Sequence, residues 1–245
     1  MGIDIGGTFT DFALLDEESN TLSIYKELTT PHDPSEAVLH GVVELLEQGK
    51  VAMQEVRIID HGTTLVTNAV IEHRGAPTGM LVTDGLEDVL DIGEERRYDL
   101  FDLRLRFPEP IVPRQLRRPV RERLAYSGRV LEALDLDAAQ AAVRDLVDNH
   151  GIESLAICLL HSYANPEHEQ MIAAMVAEHF PMLHVSTSAD VLPFLREFQR
   201  WTTTAINAYV RPIVDRYLAK IEKGLAAQGF RGRFLMMTSS GVPWA

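Results

Sequence analysis

The residues that could do most chemistry lie at the start of the chain, where Asp4, Gly6, Gly7, Thr8, Thr10 and Asp11 fall in one short stretch. Ile3 and Ile5 flank Asp4 with the period-2 alternation of a strand, Gly6-Gly7 signals a tight turn, and 12–15 reads as a second strand. The resulting hairpin carries an acid at the end of its first strand, then two glycines, two hydroxyls and a second acid. Glycines let a backbone approach a ligand closely and leave N–H groups free to point at anionic oxygens. The hydroxyls of Thr8 and Thr10 can donate to phosphate oxygens. Asp4 and Asp11 repel phosphate directly but can hold a hydrated Mg²⁺ that binds it. No Gly-Lys-Ser/Thr follows, so this is not a Walker loop. The same residues would also make an ordinary Gly-Gly hairpin with polar decoration. The coincidence of acid, glycine and hydroxyl at useful offsets favours the phosphate reading.

A second constellation, His61-Gly62-Thr63-Thr64, stands where a strand gives way to a helix. A helix start offers unpaired N–H groups and a positive dipole end. Thr63 or Thr64 would cap it, and Asn68 lies one turn further on. A Thr cap with His61 packing locally explains these residues equally well. In the run 161–169, Asn165 and Pro166 are accounted for by helix capping, and His161 and His168 lack zinc-ligand spacing. Arg196, Arg200 and Arg211 could meet an anionic substrate, although solvated arginines on a helix face explain them more simply. The lone Cys158 sits in the apolar run 155–160 and reads as a core residue; it has no disulfide partner in the chain.

The elements that must position these groups alternate between strand and helix. A strand at 21–28 precedes a helix opened by Asp33-Pro34-Ser35-Glu36, with Asp33 as cap, Glu36 at capping-box spacing, and Gly49 as the stop. A strand at 56–59 leads to a helix at 65–74, stopped by Gly75 and Pro77; a strand at 79–82 and a short helix at 84–90 follow. The segment 94–129, rich in Pro and Arg, reads as an irregular excursion with one strand near 121–126: a solvated loop, or a cover over a site. Beyond it come a helix at 138–149 capped by Asp137, a strand at 154–160, a helix from Asn165-Pro166 to 179, and a strand at 183–186. Pro212 should kink or break a long helix at 195–228 near Arg211, and a strand at 234–237 runs into Thr238-Ser239-Ser240-Gly241.

The 245 residues suffice for one large or two modest domains. A net charge of −13 argues against a nucleic-acid partner bound through a basic surface. No apolar run approaches the roughly 18 residues of a membrane span, and no basic-then-apolar leader opens the chain, so no membrane association and a cytoplasmic location are expected.

The opening resembles the first phosphate-binding hairpin of the actin-like ATPase superfamily. In its full form, Asp4-Ile5-Gly6-Gly7-Thr8-Phe9-Thr10-Asp11, it is similar to the start of A-type subunits of the hydantoinase/oxoprolinase family. His61-Gly62-Thr63-Thr64 with Thr67-Asn68-Ala69, the run 161–169, and the stretch from Arg196 through Trp201-Thr202-Thr203-Thr204 to Arg211-Pro212 also resemble that family. The resemblance implies an α/β fold, the first lobe of an actin-like (ribonuclease H-like) ATPase, with a mixed sheet, flanking helices and an inserted α/β region. It implies an N-terminal family region at 1–190 and the start of the main ATPase domain at 191–245. Only Met1 precedes the Gly-Ile-Asp, and Gly6-Gly7 is the sole Gly-Gly pair. A second phosphate hairpin is therefore missing, and the chain is expected to be an N-terminal fragment of a longer protein.

The activity implied is ATP-dependent hydrolysis of a cyclic amide, such as 5-oxoproline or a hydantoin, through phosphorylation of the amide oxygen. The chain would supply part of the ATP site. Gly6, Gly7, Thr8 and Thr10 would hold phosphates, and Asp4 and Asp11 would be the catalytic acids, Asp4 taking Mg²⁺ through water. His61, Thr63 and Thr64 would line the same cleft, and a B-type subunit or domain would be the partner. The alternatives are the ATP-binding part of an acetone- or acetophenone-type carboxylase and a non-catalytic fragment of such an enzyme.

Overall fold

The computed structural model describes residues 1–30, 32–94, 101–102, 104–237 and 243–244. Chain order opens with β1 (Gly2–Ile5), β2 (Phe9–Asp16), β3 (Thr21–Leu28), α1 (Pro34–Gly49), β4 (Ile58–Thr63) and α2 (Leu65–Ile71). Then come β5 (Thr78–Thr83), α3 (Val89–Ile92), β6 (Arg117–Val120), β7 (Arg123–Leu124), β8 (Val130–Glu132) and α4 (Leu136–His150). The chain continues with β9 (Ser154–Cys158), α5 (Glu167–His179), β10 (His184–Thr187), α6 (Ser188–Val191), α7 (Glu197–Ala227), β11 (Arg233–Met237) and β12 (Pro243–Trp244). Two compact units result: Met1–Arg74 with Ile213–Ala245, and Gly75–Pro212, which is inserted into the first along the sequence.

The first unit holds a mixed sheet of order β12-β11-β4-β1-β2-β3. β1 pairs antiparallel with β2 and parallel with β4; β4 pairs parallel with β11. Paired residues share a face, so the register sorts the side chains. Ile3 pairs with Phe12 and His61, and Ile5 with Thr10 and Thr63, on the side that packs against α1 and the end of α7. Val38, Val42 and Leu45 of α1 and Tyr217, Ile221 and Leu225 of α7 close this core. Gly41 is required there, since a Cβ would fall 2.2 Å from Phe12 Cζ. Asp33 caps α1 as expected, but its carboxylate accepts from Ser35 N–H in place of a capping-box exchange with Glu36. The helix ends on Lys50 in the left-handed region, one residue beyond the expected Gly49.

The second unit is built on an all-parallel sheet, β10-β9-β5-β6. Both faces are buried, as parallel sheets require. Leu81, Leu155 and Ile157 pack with residues of α4 and α5, whereas Met80, Val82, Ala156 and Cys158 pack with Trp201, Ala205 and Ala208. Cys158 is thus the core residue it was read as, and burial pushes its thiol pKa well up. Several sequence expectations shift. The short helix at 84–90 is a turn followed by α3, and Asp135 caps α4 in place of Asp137. The break allowed for near Arg211 does not occur, and α7 continues through Pro212 as one helix.

The excursion at 94–129 is more ordered than a solvated loop, although residues 95–100 and 103 lie outside the described residues. It contributes β6 to the sheet, and the single strand expected near 121–126 is the short β7. Arg117 is fully buried, with its guanidinium on the Val112 and Glu87 carbonyls and on Asp91. The strand expected at 234–237 is β11; the Thr238–Gly241 run that follows it, 238–241, lies outside the described residues.

Candidate functional site

The β1–β2 turn is held from behind and open in front. Gly6 N–H donates to Phe9 O at 2.9 Å. Thr29, just past β3, fastens the turn twice: its N–H donates to Thr8 O at 2.9 Å and its hydroxyl to Gly6 O at 2.9 Å. The Gly7 and Thr8 N–H groups have no acceptor among the described residues, and both residues are exposed. Thr64 joins the turn from the end of β4, donating through N–H and hydroxyl to Ile5 O, both at 3.2 Å. Asn68 Nδ2 bonds Thr64 Oγ1 and stands 3.5 Å from where a Gly7 Cβ would be.

Asp4 and Asp11 are direct cross-strand partners on the face away from the core, and both are exposed. Facing carboxylates repel. Lys26 on β3, opposite Asp11, offsets this with an ion pair at 2.9 Å. Asp4 makes no hydrogen bond or ion pair among the described residues. Its other neighbour is Gly62, where a Cβ would lie 3.4 Å from Asp4 Oδ1, so the glycine keeps that carboxylate accessible. No group of three or more His, Cys, Asp or Glu able to hold a metal occurs among the described residues. A lone exposed carboxylate such as Asp4 fits a cation held mostly by water; it does not fit a metal caged by protein ligands.

Two of the expected site residues lie on the wrong face. Thr10 is fully buried and its hydroxyl contacts Thr29 Oγ1 at 3.0 Å. It supports the turn from the core side and cannot meet phosphate. His61 is also fully buried, with Nε2 2.6 Å from the Tyr217 hydroxyl and its ring stacked on Phe234. Alternation along β1 and β4 decides this, because residues paired with Ile3 and Ile5 must face the core. Thr63 shares that parity and caps Leu65 N–H. The expected helix at 65–74 shortens to the seven residues of α2, so its start offers no extended dipole. Thr29 and Lys26 were not singled out in the sequence, since only tertiary pairing brings them to the turn.

Burial pulls the His61 pKa from 6.5 down to about 4. The unfolded chain therefore binds more protons than the folded one between those pH values, and stability rises with pH across that window. Charging His61 in place costs the folded state about 3 kcal/mol, fully felt near pH 4. His61→Gln is expected to flatten this part of the stability curve. Urea unfolding at several pH values between those limits measures it, and an unchanged slope in the variant refutes the assignment.

In the second unit the run 161–169 proves architectural. Asn165 Oδ1 accepts from Glu167 N–H, and His168 pairs with buried Glu122 at 2.8 Å. Glu169, fully buried, accepts from Leu159 N–H, Ala189 N–H and the Ser188 hydroxyl. Arg200 is equally buried; it donates to Ser188 Oγ and to the Phe194 and Leu159 carbonyls, so it is not placed to receive a substrate. Arg211 donates to Val185 O, while Arg196 is exposed.

The mixed sheet and its glycine-turned hairpin define a lobe of the actin-like ATPase type. The chain belongs to the hydantoinase/oxoprolinase family: the model of the hydantoinase/oxoprolinase N-terminal region matches residues 1–180, and that of hydantoinase/oxoprolinase matches 200–243. It is 36% identical over 228 residues to the caprolactamase subunit alpha of Pseudomonas jessenii, covering 91% of this chain and 32% of that protein. It is 30% identical to 5-oxoprolinase 1 of Arabidopsis thaliana, covering 89% of this chain and 19% of the other. The solved structure of the ATP-dependent caprolactamase from Pseudomonas jessenii superposes with a TM-score of 0.89 at 33% identity, and that of a nucleotide-free acetone carboxylase with 0.85 at 28%. Each superposition covers 99% of this chain and 36% of the other, so the chain spans about a third of the length of these relatives. No helix among the described residues is long and apolar enough to cross a membrane.

Proposed function

We propose that the chain supplies one side of an ATP site in an enzyme that opens a cyclic amide. The observation that carries this is the turn at Gly6–Thr8: two unpaired backbone N–H groups and a free hydroxyl stand beside an accessible, unpartnered Asp4. On this reading the Gly7 and Thr8 N–H groups and the Thr8 hydroxyl hold phosphate oxygens, with Gly6 shaping the turn. Asp4 holds a hydrated Mg²⁺ through water, and Asp11, restrained by Lys26, keeps the local charge negative enough to retain it. ATP, when bound, supplies the phosphoryl group that makes an amide carbonyl reactive. Phosphoryl transfer depends mainly on positioning and charge neutralisation, which a turn fastened by Thr29 and Thr64 provides. The kinship with caprolactamase and 5-oxoprolinase supports a lactam substrate. The partners of such an enzyme include a second subunit or domain, of the B type in this family.

The likeness to acetone carboxylase supports a second reading, in which a ketone replaces the amide. Screening ATP consumption against lactams and ketones separates the two. The site itself is tested by titrating ATP into the chain with and without Mg²⁺. Binding that needs Mg²⁺ and is lost in Gly7→Val supports the assignment; binding that ignores both overturns it.

A further inference from the structure

Asn68 stands beside the glycine turn without a part in the site proposed above. It lies one helical turn beyond Thr64 on α2, is half-buried, and reaches Gly7. An asparagine side chain has a donor end and an acceptor end, and the bonds around it decide which end faces where. Here Thr64 makes that decision.

The Thr64 hydroxyl has a single hydrogen. It goes to Ile5 O at 3.2 Å, and a carbonyl oxygen can only accept. The Thr64 oxygen is left as an acceptor, so whatever part of Asn68 meets it must donate. Asn68 Nδ2 does so at 3.3 Å. The reverse arrangement, with Oδ1 against Thr64, would set two acceptors face to face. The NH₂ end is therefore fixed on this side, and the same nitrogen is the atom 3.5 Å from where a Gly7 Cβ would lie. Its second N–H has no acceptor among the described residues. Thr64 is itself held, since its N–H also donates to Ile5 O at 3.2 Å and its carbonyl accepts from Asn68 N–H at 2.9 Å. Gly7 completes the arrangement. A separation of 3.5 Å is ordinary contact, so a side chain at position 7 would not clash with the amide but would fill the gap beside it. With glycine that gap stays open next to the unpaired Gly7 and Thr8 N–H groups.

We infer that Asn68 is a further donor of the phosphate cradle, giving its free N–H to an oxygen of the phosphate chain that the Gly7 and Thr8 N–H groups hold. Thr64 is the positioning residue that keeps the donor end of Asn68 beside the turn. With its hydrogen committed to Ile5 O, the Thr64 hydroxyl has none to give to phosphate itself. Both roles rest on the nucleotide reading of the turn, and they add to it a side chain from a different element.

The test titrates ATP with Mg²⁺ into the parent chain and into Asn68→Ala, Asn68→Asp, Thr64→Val and Thr64→Ser, with a thermal melt of each. Alanine favours helix, so Asn68→Ala is expected to melt no lower than the parent. Its Kd should rise about tenfold or more, the size of a hydrogen bond to a charged group. Asn68→Asp should lose more, because a carboxylate in that place repels phosphate. Thr64→Val frees the amide to turn and should weaken binding about threefold or more. Thr64→Ser keeps the hydroxyl and should bind like the parent. In the Asn68→Ala background Thr64→Val should cost nothing further, since it acts through Asn68. Tripolyphosphate, which carries the phosphates without the base, should rank the variants in the same order. Parent affinity in Asn68→Ala, Asn68→Asp no weaker than Asn68→Ala, or losses that track a fall in melting temperature overturn the role of Asn68. Additive losses in the double variant overturn that of Thr64. A parent chain that does not bind ATP overturns the nucleotide reading and these roles with it; a parent that binds, with Asn68 variants that bind equally, overturns the roles alone.

Discussion

On the proposed function, Asp4→Asn is expected to lower ATP-dependent turnover of an enzyme assembled with this chain by about 10²- to 10³-fold, the size expected when one preorganised electrostatic contact to a transferring group is removed. Folding is spared, because Asp4 is exposed, lies on the open face of β1 and makes no contact that the fold needs. Asn keeps the shape and removes the charge, so the expected loss would reflect a weaker hold on a hydrated cation. Asp11→Asn is the informative companion. It also breaks the ion pair with Lys26, but exposed pairs contribute only about 0–1 kcal/mol to stability. A larger turnover loss for Asp4 than for Asp11, with both melting like the parent, supports the division of roles. Phosphate-release kinetics and thermal melts measure it. Full turnover in Asp4→Asn would remove the turn from the mechanism.

Arg200→Leu is expected to cost about 3–5 kcal/mol of unfolding free energy, the penalty for removing one partner from a buried charged network. The guanidinium satisfies the Leu159 and Phe194 carbonyls and the Ser188 hydroxyl from a fully buried position, and its charge favours the Glu169 carboxylate. Burial already pushes the Glu169 pKa up. Without Arg200 the carboxylate loses a compensating charge, and the end of β9 loses the clamp joining it to α6 and α7. Urea unfolding gives the number, and a loss below about 1 kcal/mol, as for an ordinary surface substitution, would show that the network tolerates its removal. The effect should be on stability alone. A selective loss of ATP binding without destabilisation would return Arg200 to the ligand contacts, the reading that the sequence left second to a solvated arginine.

Elements were legible wherever local signals were complete. Asp33-Pro34 starts α1 where a cap followed by proline should, whereas α5 begins one residue later than the same signal implies, with Pro166 at the cap position and Asn165 just before it accepting from Glu167 N–H. The alternation around Asp4 and the glycine pair make the β1–β2 hairpin. The excursion at 94–129 was opaque because its order comes from distant partners, such as Arg118 on Asp145, which no window of sequence contains. Helix ends moved by one or two residues: at α1 the left-handed cap is Lys50 and not Gly49, and at α4 two nearby acids, Asp135 and Asp137, compete for one cap.

The sequence by itself determined that a glycine turn flanked by acids and hydroxyls opens the chain, because turn formation and strand alternation are local. Parity in principle also tells Thr10 from Asp11, since Phe12 and Leu14 announce the core side. Only the tertiary structure decided which groups stand together. Parallel pairing of β4 with β1 puts Gly62 beside Asp4 and turns His61 inward against Tyr217, and Thr29 reaches the turn because β3 folds back along β2. Those contacts depend on strand order and register, which are set by burying one face of the whole sheet and not by any single strand.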